Sequence, residues 1–301
     1  MKVKEEFLFK EIKEYLDENV TLVIANPSSE ERKNYIYEEY LKNKNLISIR
    51  YNSEKFVLCN PSDTVPLNKT ATFDTLGKVL VSFPNVNVKN VLIDITSLQH
   101  VVIACLLRKI LNEIKPARVF LTYAKPENYV QEGVETYEFS TEFSAPSAIP
   151  GFASCAKKDE VLVPFLGFEG MRLKNIIGDE HYSDINPIVG FPSDDPMWQF
   201  ETLRHCKDAI VEQGAQLKIR KCKADSVYDA YSELESVARD YNKPLVIAPL
   251  GTRPHFVATV IYALRHKREC RIIYDNAVEK SNYTQGIRNI KVYHISRFIG
   301  E

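Results

Sequence analysis

The chain has 301 residues, 45% hydrophobic and 26% charged. These ordinary globular proportions exclude a disordered or fibrous protein and leave room for one large domain or two. Lys+Arg 39 against Asp+Glu 40 gives a formal net charge of -1, which argues against a protein that coats nucleic acid by bulk charge.

In chain order, the first 17 residues read as a charged amphipathic stretch without the apolar core of a signal peptide. Val20 to Ala25 is a buried strand, followed by a helix from Ser29 to Lys42 with Ser28 or Ser29 as N-cap. Leu46 to Tyr51 is the next strand. Phe56 to Thr70, broken by Pro61 and Pro66, reads as a loop or hairpin, and Thr72 to Phe83 as a helix. Val91 to Asp94 is a strand, Leu98 to Ile114 a strongly apolar helix, and Val119 to Tyr123 a strand. After a small, turn-prone segment the alternation resumes. Strands are expected at Val161 to Phe165, Pro187 to Gly190, Leu217 to Lys221, Pro244 to Ala248 and Arg271 to Tyr274. Helices fall between them, at Gly167 to Asn175, Met197 to Gln213, Ser226 to Tyr241 and Pro254 to His266, and Ile290 to Ile295 closes the chain as a strand.

Continuous apolar strands separated by helices mark an α/β protein with mostly parallel sheets covered on both faces. The turn-prone segment at 141–156 divides the chain into two Rossmann-like lobes, 1–140 and 157–301. An internal resemblance suggests duplication. Val91 to Val102 and Val246 to Val257 each run strand, polar loop, His near a helix start, apolar helix. Each helix leads to a strand beginning with Arg (Arg118, Arg271), and each is followed by an Asn-Tyr pair (Asn128-Tyr129, Asn282-Tyr283). Val23 to Glu30 likewise resembles Ile188 to Asp195.

No window approaches the twenty apolar residues of a membrane-spanning helix. The six cysteines are scattered with no CxxC pair, which suits reduced thiols and a cytoplasmic protein. No His or Cys spacing suggests a metal site, and the P-loop, GxGxxG and GxSxG patterns are absent. Chemistry is therefore expected where open parallel sheets place it, outside the carboxyl ends of the strands.

Among the loops there, Gly251-Thr252-Arg253-Pro254-His255 is the best anion-binding candidate. A helix start offers unpaired N–H groups, Gly251 admits a ligand close to the backbone, Thr252 supplies a hydroxyl and an N-cap, and Arg253 a charged fork. A well-capped helix with a surface Arg explains the same run. The equivalent first-half loop contains Asp94, Thr96, Ser97 and His100. Thr96 or Ser97 would cap the helix, Asp94 would orient a ligand hydroxyl or the His, and a structural role remains open for each. Gly167, Glu169 and Arg172 form a third candidate, equally readable as a helix start with an i,i+3 ion pair. Asp194 and Asp195 read as dipole partners at a helix start rather than a metal pair.

The run Ile93-Asp94-Ile95-Thr96-Ser97 resembles the ligand loop of CRISPR-associated Rossmann-fold (CARF) sensor domains, a strand ending in Asp-x-Thr before a glycine-rich turn; Ser97-Leu98-Gln99 stand where those glycines would be. Pro249 to His255 resembles a Pro-Leu-Gly-Thr-Lys/Arg-Pro-His-like loop of two-lobed proteins from bacterial defence gene clusters. The resemblance implies a place in antiviral defence, while the paired helix-start sites, without an evident nucleophile or metal cage, point to a sensor or regulatory subunit that binds a nucleotide or another anionic, phosphorylated small molecule. Two other readings stay open. One is an enzyme acting on a nucleotide or phosphate ester, with His100 or His255 as acid–base group and Arg253 as anion clamp. The other is a scaffold subunit that binds a protein partner or a second copy of itself.

Overall fold

The structure, a computed structural model, describes residues 6–28, 30–41, 45–52, 54–60, 67–84, 86–130, 139–153, 159–280 and 282–299. The first stretch opens with β1 (Glu6–Leu8) and α1 (Phe9–Asn19), then β2 (Leu22–Ile24), α2 (Glu31–Leu41), β3 (Asn45–Asn52), β4 (Lys55–Cys59) and β5 (Asn68–Ala71). It continues through α3 (Leu76–Val81), β6 (Asn90–Asp94), α4 (His100–Lys109) with a wider final turn to Ile114, and the long β7 (Arg118–Tyr129). Next come β8 (Ser140–Glu142), β9 (Ser147–Ala148), β10 (Val161–Phe165), α5 (Gly170–Asp179), β11 (Asp184–Ile185), β12 (Ile188–Gly190) and α6 (Trp198–Glu212). The chain ends with β13 (Arg220–Cys222), α7 (Val227–Tyr241), β14 (Leu245–Pro249), α8 (Arg253–Arg265), β15 (Cys270–Tyr274), β16 (Val278–Glu279) and β17 (Thr284–His294). The protein is thus α/β, with sheets that are mixed overall and parallel in their cores.

These elements form two units. One comprises residues 1–129 and 284–301, the other residues 130–283. The expected division at 141–156 therefore differs from the observed one, because the closing strand belongs with the first half. β17 runs antiparallel to β7 from Thr284 opposite Tyr129 to His294 opposite Phe120, and β1 adds to its other side. The second unit is an insertion between the two strands of this pair. Nothing local in 284–294 announces a partner 155 to 174 residues upstream, since pairing of that kind is fixed by tertiary packing.

In the first unit β2, β3, β6 and β7 are parallel, in the order β3-β2-β6-β7, extended by antiparallel strands on both sides. Phe9 and Leu16 of α1 and Ile36 of α2 pack with Val23, Leu92 and Phe120 in one core cluster. The second unit has its parallel strands in the order β13-β12-β10-β14-β15. Chain order leaves β10 in one direction and β14 in the other. Right-handed crossovers then put α5 and α6 on one face and α7 and α8 on the other. Leu173 and Ile176 of α5 and Cys206 and Ile210 of α6 pack on Leu162, Val246 and Ala248 of the sheet.

Several expectations needed adjustment. The charged N-terminus contributes a strand, β1. The helix expected over 72–83 is confined to Leu76–Val81, where Thr75 occupies the N-cap position. The strand expected at 217–221 is a 3₁₀ turn followed by β13. The β6–α4–β7 and β14–α8–β15 segments occupy equivalent places in the two sheets, but β2 and β12 do not. β2 adjoins β6, whereas β10 separates β12 from β14. Asn128 and Tyr129 lie opposite Gln285 and Thr284 on one strand pair. The two Asn-Tyr motifs therefore mark the two chain crossings between units rather than equivalent positions within them.

Candidate functional site

Asp94, Thr96, Ser97 and His100 fall in the first unit; Gly167, Glu169, Arg172, Gly251, Thr252, Arg253 and His255 fall in the second. In the first unit the ends of β2 and β6 adjoin at the switch point of the sheet. Asp94, Thr96 and Ser97 are all buried there. Asp94 Oδ1 accepts from the Thr96 N–H at 3.1 Å and from Thr122 Oγ1 at 3.3 Å. Thr96 Oγ1 accepts from the Ala124 N–H at 2.8 Å. Ser97 Oγ donates to the Asp94 carbonyl at 3.2 Å and accepts from the Asn26 N–H at 2.9 Å. The residues of the Asp94-to-Ser97 run therefore brace the β6 loop against its neighbours. Neither Thr96 nor Ser97 caps α4, whose N-cap is Gln99; the Gln99 side chain instead accepts from the Tyr51 N–H at 2.7 Å. His100, the first residue of α4, is half-buried.

In the second unit the switch point lies between β10 and β14, and glycine makes it possible. A Cβ on Gly167 would overlap the Leu250 carbonyl oxygen, so the two loops meet backbone to backbone. A Cβ on Gly251 would lie 2.7 Å from His255 Nδ1. α8 begins here, with Pro254 in its first turn. Thr252 is the N-cap residue, but its hydroxyl donates to the Ala224 carbonyl at 2.5 Å rather than capping the helix.

His255 is buried, stacked on Phe165 with ring centroids 4.8 Å apart. Its Nε2 lies 3.0 Å from the Lys223 carbonyl, which can only accept, so Nε2 carries the proton. Nδ1 is then an acceptor, enclosed and without a partner. Burial pushes the pKa of the ring down to about 4, which keeps it neutral near pH 7 and unsuited to acid–base work there. Cys222 Sγ lies 3.5 Å from Nε2, but burial raises its pKa and keeps it a thiol.

Neither arginine of this site presents a bare charge. Arg172 forks onto Asp275, Nε to Oδ2 at 2.7 Å and Nη2 to Oδ1 at 2.6 Å, and its Nη1 reaches Glu169 at 3.2 Å. Burial opposes its charged form, but the Asp275 bond, with Tyr274 and Glu169 nearby, holds its pKa above the ordinary value. Arg253 is buried rather than at the surface, and Nη2 donates to Glu279 Oε1 at 2.7 Å. Glu169 also accepts from the Phe139 and Ser140 N–H groups, at 3.0 and 2.8 Å, and from Ser140 Oγ at 3.0 Å. Ser140 and Glu279 sit on β8 and β16, which pair antiparallel. This ribbon is thereby fastened to the starts of α5 and α8 through two carboxylates. Asp275, Glu279 and Ser140 were not visible as site residues in the sequence. Their partners lie 103, 26 and 29 residues away, and no motif links them.

A cavity of about 340 Å³ lies at the far end of α5, lined by residues including Ile177, Glu180 and Tyr182, and no candidate residue lines it. Among the described residues there is no cluster of three or more His, Cys, Asp or Glu side chains placed to hold a metal ion. No helix among them is long and apolar enough to cross a membrane. Compared with protein-family models, curated proteins and solved structures, the chain matches none.

Proposed function

We propose that the protein binds a nucleotide or another phosphorylated small molecule at the carboxyl edge of the second unit's sheet, as a sensor or regulatory subunit. The observation that carries this reading is the enclosed, unpartnered Nδ1 of His255 beside Gly251, where α8 begins at the switch point. A neutral buried acceptor calls for an N–H or O–H donor, and the helix start beside it favours an anion. A nucleotide carries both. Glu279 holds the Arg253 guanidinium until the ligand's phosphate replaces it. β8 and β16 are the described strands nearest the two chain crossings on the second unit's side, which suits a sensor whose occupancy must reach the rest of the chain. The 249–255 loop supports a place in bacterial defence, and the scattered thiols a cytoplasmic one. Descent of the two units from one duplicated ancestor is supported by the equivalent positions of β6–α4–β7 and β14–α8–β15.

Isothermal titration of the full chain with nucleoside mono-, di- and triphosphates tests the reading. At least one is expected to bind, at least tenfold more weakly to Arg253→Gln and at least threefold more tightly to Glu279→Gln. No binding across the panel, or binding indifferent to both substitutions, would contradict it.

A further inference from the structure

A buried arginine without a carboxylate partner among the described residues stands at the carboxyl edge of the other sheet. Arg32 is in the first turn of α2, directly after the β2 loop, and is 4% exposed. Its Nε is enclosed and has no hydrogen-bond partner, and among the described residues no carboxylate pairs with it. Its neighbours in sequence do pair, Lys33 Nζ with Glu30 Oε1 at 2.9 Å. The contrast with Arg172 and Arg253, both buried and both held by carboxylates, is direct.

Burying a charge without a counter-charge costs several kcal/mol, so proteins pair such groups or bind something there. The position says what would bind. Arg32 and Ile36 are one turn apart and both buried, so Arg32 lies on the sheet-facing stripe of α2. Helical side chains lean toward the helix N-terminus. Arg32 therefore leans toward the first-turn N–H groups and the end of β2. At that end Arg50 Nε donates to Asn26 Oδ1 at 2.8 Å, which brings a second guanidinium to the same loop. Arg32 at the positive start of α2 follows the same loop that Arg50 touches through Asn26, at the edge where an open parallel sheet takes its ligands.

We propose that the β2–α2 edge of the first unit is a separate oxyanion site, in which a phosphate group completes the coordination of Arg32, assisted by Arg50. The phosphate can belong to a free ion or to a nucleotide, and two probes separate these sources.

Thermal unfolding and titration of the full chain, prepared free of phosphate, with inorganic phosphate and with AMP, test the proposal. Wild-type protein is expected to bind phosphate or AMP and to gain thermal stability from it. Arg32→Gln should bind at least tenfold more weakly and lose that gain. Without anion, Arg32→Gln should unfold at or above the wild-type temperature, because an uncompensated charge has gone. Arg50→Gln should weaken binding by a smaller factor. Phosphate equal to or tighter than AMP identifies a free-ion site, and AMP the tighter a nucleotide site; either supports the assignment. Stabilisation equal in wild type and Arg32→Gln, no binding of either probe, or a marked loss of stability in anion-free Arg32→Gln overturns it. Binding lost in Arg253→Gln but kept in Arg32→Gln assigns the anion to the second unit alone and also overturns it.

Discussion

Replacing Asp275 by alanine is expected to destabilise the second unit by about 3–5 kcal/mol, because it strands a buried guanidinium. Asp275 is fully buried and takes two nitrogens of Arg172; the third faces Glu169, and the Tyr274 ring lies 5.4 Å from the guanidinium carbon. With Asp275 gone, one contact at 3.2 Å must compensate a charge withdrawn from water. The chain's single tryptophan, Trp198, opens α6 in this unit, so its fluorescence in urea reports the relevant unfolding. The double variant Arg172→Met/Asp275→Leu, which removes both charges, should recover most of the loss. A loss below about 1 kcal/mol for Asp275→Ala would contradict the description of this pair as a buried lock.

The second large effect is one of pH. Burial takes His255 from an ordinary value of 6.5 down to about 4. Between those values the unfolded chain holds a proton that the folded chain does not. Stability is therefore complete above about pH 6.5, falls as the pH drops through this window, and levels off below about 4. The full difference is about 3 kcal/mol. Urea titrations of wild type and His255→Gln at pH 7 and pH 4.5, read by Trp198, should show the wild type losing about 2–3 kcal/mol more than the variant. Glu180, Asp184 and Glu235, with lowered carboxyl pKa values, lose stability at lower pH in both proteins and cancel in the comparison. Equal pH dependence in the two proteins would mean that His255 titrates normally and is not enclosed.

The sequence made the central strands legible because each is a continuous apolar run. Val161 to Phe165 lies between parallel neighbours, and all five residues are buried. Helices with a clear buried stripe, such as Val227–Tyr241 behind its Ser226 cap, were legible for the same reason. The assignment of β17 was not, since a mostly half-buried strand does not say in its own pattern which sheet it joins. Gly251 was read as admitting a ligand and Gly167 as part of a ligand loop; that Gly167 meets the Leu250 carbonyl and Gly251 the His255 ring was not legible, because both contacts are made by the packed loops. Arg253 read as an open clamp because charge is visible in sequence and long-range neutralisation is not. Arg32 was passed over for the opposite reason. In a helix that also carries Glu31, Glu38 and Glu39, one arginine looks like an ordinary surface charge, and only its burial singles it out.

Hydrogen exchange of the full chain, with and without a saturating nucleotide from the titration panel, reads out the ligand proposed at the β10–β14 switch point. Slower exchange is expected in the 166–170 loop and from Gly251 through Phe256, with faster exchange in Ser140–Glu142 and Val278–Glu279 as Glu279 gives up Arg253. Protection confined to other segments, or a ribbon that becomes more protected while Arg253 keeps Glu279, would contradict it.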